Sequence, residues 1–250
     1  NEYPERPQNV GTTLLEVRAL NSRKLHDVSF KLNKGEILGL VGLVGAGRTE
    51  AVQCLFGVWP GQWEGKIYID GKQVDIRNCQ QAIAQGIAMV PEDRKRDGIV
   101  PVMAVGKNIT LAALNKFTGG ISQLDDAAEQ KCILESIQQL KVKTSSPDLA
   151  IGRLSGGNQQ KVVLARCMAT QPICLLCDEP TRGIDEGAKR EVYAFLADFA
   201  AKGGAVVVVS SEAPEVLEVS DRIAIFKKGH LSVVIDGHQA SQEELLHLAS

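Results

Sequence analysis

Apolar and polar residues alternate in some parts of the chain and run together in others, and this difference predicts the strands. Alternation at residues 14–17 and 28–32 predicts antiparallel strands with one exposed face, and residues 66–70 form a further strand. Continuous apolar runs at 37–41, 87–90 and 173–177 predict strands covered on both faces. A buried strand at 206–210 and a late hairpin of 222–226 with 231–235 complete the set.

Helices are predicted between these strands. The run at 37–41 leads through a glycine-rich loop into a helix at 49–56, and further helices are predicted at 155–169 and 187–200. In residues 92–150 a charged loop precedes helical stretches at 108–114 and 125–140, which predicts an inserted helical subdomain. Ser241 and Glu244 have the spacing of a capping box for a last helix. Buried strands that alternate with helices predict an α/β fold.

The composition fits one globular domain. Of 250 residues, 44% are hydrophobic, which is enough to bury a sizeable core. The formal charge of -2 disfavours a nucleic-acid partner, because no basic excess would neutralise a phosphate backbone. Residues 1–13 begin with a polar, proline-rich stretch that predicts an interdomain linker, which leaves residues 14–250 as the folded domain.

A phosphate-binding loop is predicted directly after the strand at 37–41. Its spacing and its place between a strand and a helix are those of a P-loop, formed by Gly42, Leu43, Val44, Gly45, Ala46, Gly47, Arg48 and Thr49. Backbone amides of such a loop converge on phosphate oxygens, and the Thr49 hydroxyl is placed for Mg²⁺. Arg48 stands where lysine is expected, and its planar fork is not the same compact donor. The alternative is a tight strand-to-helix turn without a ligand.

Two adjacent carboxylates end the buried strand at 173–177. Asp178 is placed to hold the Mg²⁺ shell, and Glu179 is placed to orient or deprotonate an attacking water. Such a pair can also be a helix cap or part of a surface loop. The phosphate-binding loop upstream favours the catalytic interpretation.

A third motif, Ser155, Gly156 and Gly157, lies between the other two. The order of the three motifs resembles the nucleotide-binding domain of ATP-binding cassette (ABC) proteins. The resemblance implies that these three residues bind the γ-phosphate of ATP held by an opposing domain, and that Asp185 crosses the domain interface. Taken alone, Ser155 is an ordinary helix N-cap.

The chain departs from the usual family pattern at several positions. Glu92 stands where the family expects glutamine, Ser211 stands where it expects histidine, and residues 19–22 lack the usual aromatic that stacks on adenine. With Arg48, these features resemble the second cassette of tandem monosaccharide importers, most of all the ATPase of xylose importers. The resemblance implies a RecA-like P-loop core with an antiparallel β subdomain and a helical insert, and a slow site of its own in which Glu179, Ser211 and Glu92 act catalytically.

The resemblance also implies the partners and the location of the protein. ATP and Mg²⁺ would be its cofactors, and its partners would be an N-terminal cassette of the same polypeptide, membrane permease subunits and, indirectly, a periplasmic sugar-binding protein. Such a subunit is peripheral, on the cytoplasmic face of the inner membrane. Two alternatives stay open: a non-membrane tandem ABC ATPase acting on ribosomes or nucleic acid, and a nucleotide-sensing module with negligible hydrolysis. The charged loop at 92–97 contacts a permease or is simply solvated.

Overall fold

The computed structural model of the protein describes residues 10–118 and 125–249. Most of the predicted linker, residues 1–9, lies outside the described residues, so the linker stays a prediction. Within the described ranges the elements are β1 (Thr13–Ser22), β2 (Val28–Asn33), β3 (Ile37–Gly42), α1 (Arg48–Phe56), β4 (Trp63–Ile69), β5 (Lys72–Val74), α2 (Cys79–Ala84), β6 (Ile87–Val90), α3 (Val105–Thr110), α4 (Asp126–Gln139), α5 (Gly156–Ala169), β7 (Cys174–Asp178), α6 (Glu186–Ala201), β8 (Ala205–Val209), α7 (Ala213–Val219), β9 (Arg222–Lys227), β10 (His230–Asp236) and α8 (Gln242–Ala249).

The smaller of two sheets is antiparallel and has the strand order β2-β1-β4-β5. In β2, Val28, Phe30 and Leu32 are buried while the serine and lysine between them are exposed. This period of two confirms that the strand covers the core with one face only. The antiparallel β subdomain expected from the sequence is therefore present.

The larger sheet carries the candidate site and has the strand order β10-β9-β3-β8-β7-β6. The strands from β9 to β6 are parallel, and β10 closes one edge as an antiparallel hairpin partner of β9. Strands β7 and β8 are buried along their whole length, as their continuous apolar sequences predict. Because parallel strands end at one edge, the loops after β3, β6, β7 and β8 meet there.

The inserted helical subdomain consists of α3, a 3₁₀ turn at Leu111–Lys116 and α4, which pack with α5. Asn108 is fully buried on α3, and its side-chain amide donates to the carbonyls of Val100, Met103 and Ala104. The charged loop that precedes the insert is itself ordered as a π-helical turn at Arg94–Gly98. The described residues between β6 and α5 therefore contain the expected helices, and the subdomain bounds of about 92–150 stay a prediction.

Two helices, α2 and α7, have no counterpart among the predicted elements. They contain six and seven residues, which is too short for an apolar period to repeat clearly. At α8, the Glu244 amide donates to Ser241 Oγ at 3.2 Å, which is one half of the predicted capping box. In the ranges that the structure describes, no helix combines the length and the apolar composition needed to cross a bilayer.

Candidate nucleotide-binding site

The phosphate-binding loop joins β3 to the first turn of α1. Gly47 is the N-cap of α1 and has a φ of 105°, which is in the left-handed region that favours glycine. A Cβ at this position would lie 2.8 Å from Cδ2 of Leu25, so the space also requires glycine. The free amides of the first helical turn therefore open onto the loop, where the helix N-terminus attracts anions.

Arg48, the residue at the lysine position, is buried inside the site. Only 8% of Arg48 is exposed, and its Nη1 donates to the carbonyl oxygen of Ser210 at 2.8 Å. Ser210 follows directly after β8. The guanidinium group thus joins the phosphate-binding loop to the end of a neighbouring strand.

Asp178 lies at the end of β7 beneath the phosphate-binding loop. Thr49 Oγ1 donates to its Oδ1 at 3.2 Å, while Oδ2 is buried and has no hydrogen-bond partner among the described residues. Burial raises the pKa of Asp178 to about 7, against the hydrogen bond from Thr49, and the neighbouring Glu92 and Glu179 charges raise it further. A buried oxygen without a donor fits a cation, and Mg²⁺ is commonly bound by one or two carboxylates together with phosphates. Asp178 and Thr49 would hold it.

Glu179 follows in a strained backbone conformation. Its φ of 48° is unusual for a residue other than glycine, and its amide donates to the Val209 carbonyl at 2.8 Å. Ser211 Oγ donates to Glu179 Oε2 at 3.2 Å. Burial raises the pKa of Glu179, although the Ser211 hydrogen bond and the Arg48 charge oppose this effect. A carboxylate with a raised pKa is a stronger base for a water proton.

Glu92, after β6, reaches the loop that follows Glu179. Its carboxylate forms an ion pair with Arg182. Arg94 strengthens the same connection, because its Nη1 and Nη2 donate to the carbonyls of Arg182 and Gly183 at 2.6 and 3.1 Å. The loop after β6 and the loop after β7 are therefore joined by side chains from both.

The Ser-Gly-Gly motif forms the start of α5. Ser155 is its N-cap, and Oγ accepts from the Asn158 side-chain amide at 2.9 Å. Gly157 packs so closely on α6 that a Cβ would lie 2.6 Å from Cβ of Ala188. Asp185 caps α6 by accepting from the Ala188 amide at 3.0 Å. Ser155 and Asp185 are both exposed, and the motif forms a surface of its own with the start of α6.

One open cavity of about 800 Å³ collects most of the predicted residues around the phosphate-binding loop. It is lined by Val44, Gly45, Ala46, Gly47, Arg48, Thr49, Glu92, Glu179 and Ser211. Three predicted groups lie outside its lining: Gly42 and Leu43 at the start of the loop, Asp178 beneath Thr49, and the surface with Ser155, Gly156, Gly157 and Asp185. The structure thus separates the predicted residues into a cavity and a neighbouring surface.

Sequence reasoning missed several residues of the cavity wall, namely Lys24, Glu50, Thr181, Arg182, Gly183, Ile184, Glu186, Lys189 and Glu212. Lys189 Nζ lies 2.8 Å from Glu215 Oε1 and 3.2 Å from Glu212 Oε1, and these carboxylates raise its pKa. Glu212 directly follows Ser211, so its place in the chain next to a predicted site residue could have indicated that it also lines the cavity. Lys24 lies in the turn between β1 and β2, and no sequence pattern relates that turn to the loop after β3.

The charges of the cavity are mixed. Five carboxylates and four cationic side chains line it. Most of these charges are paired with one another, Lys24 with Glu50, Arg182 with Glu92 and Lys189 with Glu212.

The family of the chain follows from comparison with known proteins. Residues 25–182 match the family described as ABC transporter. The chain is 68% identical, over 99% of its length, to the xylose import ATP-binding protein XylG of Escherichia coli K12, and equally to that of Shigella boydii serotype 4. It spans about half the length of these relatives, since it covers 50% of each.

Solved structures agree on the fold. A nucleotide-free ATP-binding cassette from an ABC transporter superposes with a TM-score of 0.79 at 19% identity, over 95% of both chains. The cassette MJ0796 bound to ADP and Pi gives a TM-score of 0.75 at 19% identity, over 91% of this chain and 100% of that one. The fold is therefore that of the P-loop ABC ATPases. Together with the family match and the 68% identity, this establishes that the chain belongs to the ABC transporter family, as an ATP-binding domain.

Proposed function

We propose that the protein binds and hydrolyses Mg-ATP as the second cassette of an importer that energises monosaccharide uptake, with a pentose such as xylose as the cargo. The observation that carries this proposal is the cavity that unites the phosphate-binding loop with Glu92, Glu179 and Ser211. The 68% identity to proteins named for xylose import supports the choice of sugar.

Several residues in and beside the cavity have a task in the proposed hydrolysis. The amides at the start of α1 bind the β- and γ-phosphates, and the Arg48 guanidinium adds a positive charge beside them. Glu179 accepts a proton from the attacking water, and its bond from Ser211 keeps Oε2 in place. Thr49 and Asp178 would hold Mg²⁺, which would neutralise charge on the phosphates.

The turnover of this site is proposed to be slow. Ser211 lacks the imidazole that a histidine at this position would direct at the γ-phosphate. Its hydroxyl donates to Glu179 instead. Glu92 is paired with Arg182, so its carboxylate is engaged before any ligand arrives. Both features reduce the stabilisation of charge that develops on the γ-phosphate.

The surface formed by Ser155, Gly156, Gly157 and Asp185 is proposed to complete the site of a second cassette. It neighbours the cavity without lining it, its Ser155 and Asp185 are exposed, and it includes the N-terminus of a 14-residue helix. Such a helix end favours an anion such as the γ-phosphate of ATP bound opposite. The partner is proposed to be the N-terminal cassette of the same polypeptide, because the relatives are about twice as long as this chain.

The remaining assignments follow from importer function. The two cassettes are proposed to act on membrane permease subunits from the cytoplasmic face of the inner membrane, as peripheral proteins. A periplasmic sugar-binding protein would deliver the sugar and contact the cassettes only indirectly. The names of the relatives support this arrangement.

The test is to measure Mg-ATP binding and hydrolysis for this chain alone and mixed with the N-terminal half of its polypeptide. Tight binding with negligible turnover alone, and turnover restored on mixing, would support the composite site. Brisk hydrolysis by the chain alone would contradict the slow site. Binding without turnover in the assembled transporter would instead identify a nucleotide sensor.

A pair of variants controls this test. Thr49→Val removes the hydroxyl that contacts Asp178, and we expect Mg-ATP affinity to fall about tenfold through loss of a metal ligand. Thr13→Val makes the same chemical change in β1, where Thr13 Oγ1 donates to Asn33 at 3.1 Å. This control should bind Mg-ATP like the unchanged chain. Equal affinities of the two variants would contradict the proposed magnesium site.

A further inference from the structure

Arg48 connects the phosphate-binding loop to residues 210–212, which we call the switch segment. Its Nη1 donates to the Ser210 carbonyl at 2.8 Å, and both residues are buried. A hydrogen bond from an ionised donor in a buried setting is about twice as strong as a neutral one. The position of the switch segment therefore depends on where the phosphate-binding loop holds Arg48.

The switch segment has a second anchor in the core. Ser210 Oγ donates to Glu215 Oε2 at 3.2 Å and accepts from the Glu212 amide at 3.0 Å. The same Glu215 oxygen receives the hydroxyls of Thr181 and Tyr193, at 2.8 and 2.5 Å. One side of Ser210 is thus attached to a buried network, and its carbonyl is attached to the phosphate-binding loop.

The switch segment also reaches the proposed base. Ser211 Oγ donates to Glu179 Oε2 at 3.2 Å. A continuous path therefore runs from Arg48 through Ser210 and Ser211 to Glu179. A change in the position of Arg48 has a direct route to the carboxylate that would act on water.

Arginine suits this connection better than lysine. Its planar fork spreads five N–H donors over three nitrogens, so Nη1 can hold the Ser210 carbonyl while another nitrogen faces a phosphate. Lysine presents three donors from a single atom and cannot span two separated acceptors in this way. The replacement of lysine by arginine therefore adds a connection at the same time as it changes a phosphate contact.

We infer that Arg48 is a positioning residue that transmits the occupancy of the phosphate-binding loop to the switch segment, and through it to Glu179. The ligand it senses is the β- and γ-phosphate group of a nucleoside triphosphate. This inference rests on the proposed function, because a nucleotide must occupy the loop. On this inference, arginine in place of lysine at position 48 couples the phosphate-binding loop to the switch segment.

The test is hydrogen–deuterium exchange of residues 208–214 in the full chain, without nucleotide, with Mg-ADP and with the non-hydrolysable analogue Mg-AMPPNP. In the unchanged chain we expect AMPPNP and ADP to give different exchange rates. Because Arg48 belongs to the phosphate-binding loop, the nucleotide affinity of Arg48→Lys is measured first, and exchange is compared at saturating nucleotide for each chain. In Arg48→Lys, exchange without nucleotide should become about tenfold faster, as for the loss of one charge-assisted hydrogen bond. The difference between AMPPNP and ADP should disappear.

Arg166→Lys is the matched control. Arg166 lies on α5 and is half-buried, and it donates Nε to the backbone carbonyl of Asn108 at 2.8 Å and Nη2 to Asn108 Oδ1 at 2.9 Å. It does not line the cavity. We expect this variant to keep the exchange rates of residues 208–214 and their nucleotide response. A similar acceleration in both variants would mean that general destabilisation, and not the Arg48 contact, controls the segment.

The remaining outcomes also decide the inference. An Arg48→Lys chain that keeps both the exchange rate and the nucleotide response would overturn it. If Arg48→Lys does not fold, Arg48→Met keeps an unbranched side chain without the donors and is tested in the same way. If neither folds, an unchanged chain that binds both nucleotides without any difference in exchange overturns the inference. An unchanged chain that binds no nucleotide refutes the proposed function. The comparison of exchange rates between the unchanged chain and Arg48→Lys without nucleotide still tests whether Arg48 holds the switch segment.

Discussion

The helical subdomain and the nucleotide cavity each bury a carboxylate, and they treat its charge in opposite ways. Glu129 on α4 is 2% exposed, and its two oxygens accept from Lys107 Nζ at 2.6 Å and Thr110 Oγ1 at 2.7 Å. Asp178 is fully buried, and only Oδ1 has a donor, from Thr49. Burial favours the neutral form of both groups, yet the donors hold the pKa of Glu129 below its ordinary value, while the pKa of Asp178 rises to about 7.

The difference shows how to tell a structural buried charge from one that awaits a ligand. A buried charge with complete partners stabilises the fold or is neutral to it, because its desolvation is compensated inside the chain. A buried charge with a free oxygen costs stability until something binds. On this criterion Glu129 is part of the scaffold, and Asp178 belongs to a site that a cation completes.

The largest effect is expected at Asn108, a fully buried side chain of the helical subdomain that makes several hydrogen bonds to the backbone. Asn108→Ala should lower the free energy of unfolding by about 3 kcal/mol, because it removes a fully buried side chain with its three donated hydrogen bonds and leaves the Val100 amide without its acceptor. Urea denaturation measures this loss. Asn115→Ala changes an exposed side chain of the same subdomain and should stay within about 0.5 kcal/mol. Equal losses in the two variants would contradict the role given to the paired network.

Glu129→Gln should lower the free energy of unfolding by about 2 kcal/mol near pH 7, because Lys107 loses its negative partner and the amide keeps one oxygen to accept where the carboxylate has two. The pKa of Glu129 is lowered in the folded chain, so the stability it contributes is fully present above the ordinary value of 4.5 and is lost as the pH falls through the folded pKa. The difference between the two chains should therefore narrow in acid. Urea denaturation of both chains at pH 7 and pH 4 tests this prediction. A difference in their free energies of unfolding that increases in acid would contradict it.

Asp178→Asn makes the matching change in the cavity and should act in the opposite direction. Without metal or nucleotide, we expect it to raise the free energy of unfolding by about 1 kcal/mol at pH 8, because an incompletely paired buried charge is removed. The folded pKa of about 7 exceeds the ordinary 3.8, so the unchanged chain loses stability as the pH rises between these values.

The gain from Asp178→Asn should therefore be largest above pH 7 and disappear in acid. Thermal denaturation in EDTA at pH 8 and pH 4 measures both ends of this range. A loss of stability at pH 8 comparable to that of Glu129→Gln would remove the contrast between the two regions.

The smallest effect is expected at the ion pair of Glu92 with Arg182. The two side chains are 43% and 62% exposed, so water screens their interaction. Glu92→Gln and Arg182→Gln should each change the free energy of unfolding by less than about 0.5 kcal/mol. A change above 1 kcal/mol in urea denaturation would show that this pair belongs to the scaffold as well.

Features formed by residues that are close together in the chain could be predicted from the sequence. The buried strand β3, the phosphate-binding loop and the start of α1 are adjacent in the chain, so their spacing carried the prediction. The same holds for Asp178 and Glu179 at the end of β7. The predictions for Ser155 as a helix N-cap and for the β9–β10 hairpin are likewise confirmed, because capping and turn formation act over a few residues.

Contacts between distant segments could not be predicted in this way. Arg48 and Ser210 are 162 residues apart, and Glu92 and Arg182 are 90 apart. Neither pair has a local pattern that names its partner. The order of strands in the larger sheet decides both contacts, since it brings the loops after β3, β6, β7 and β8 to one edge.

The sequence by itself determined the fold class, the family and the residue types of the site, because motif spacing and apolar periodicity are local properties of the chain. Only the tertiary structure decided which of those residues share a cavity, that Arg48 holds the switch segment, and that Asp178 is buried with one oxygen free. The physical reason is that burial and hydrogen-bond partners are set by packing between segments that are far apart in the chain.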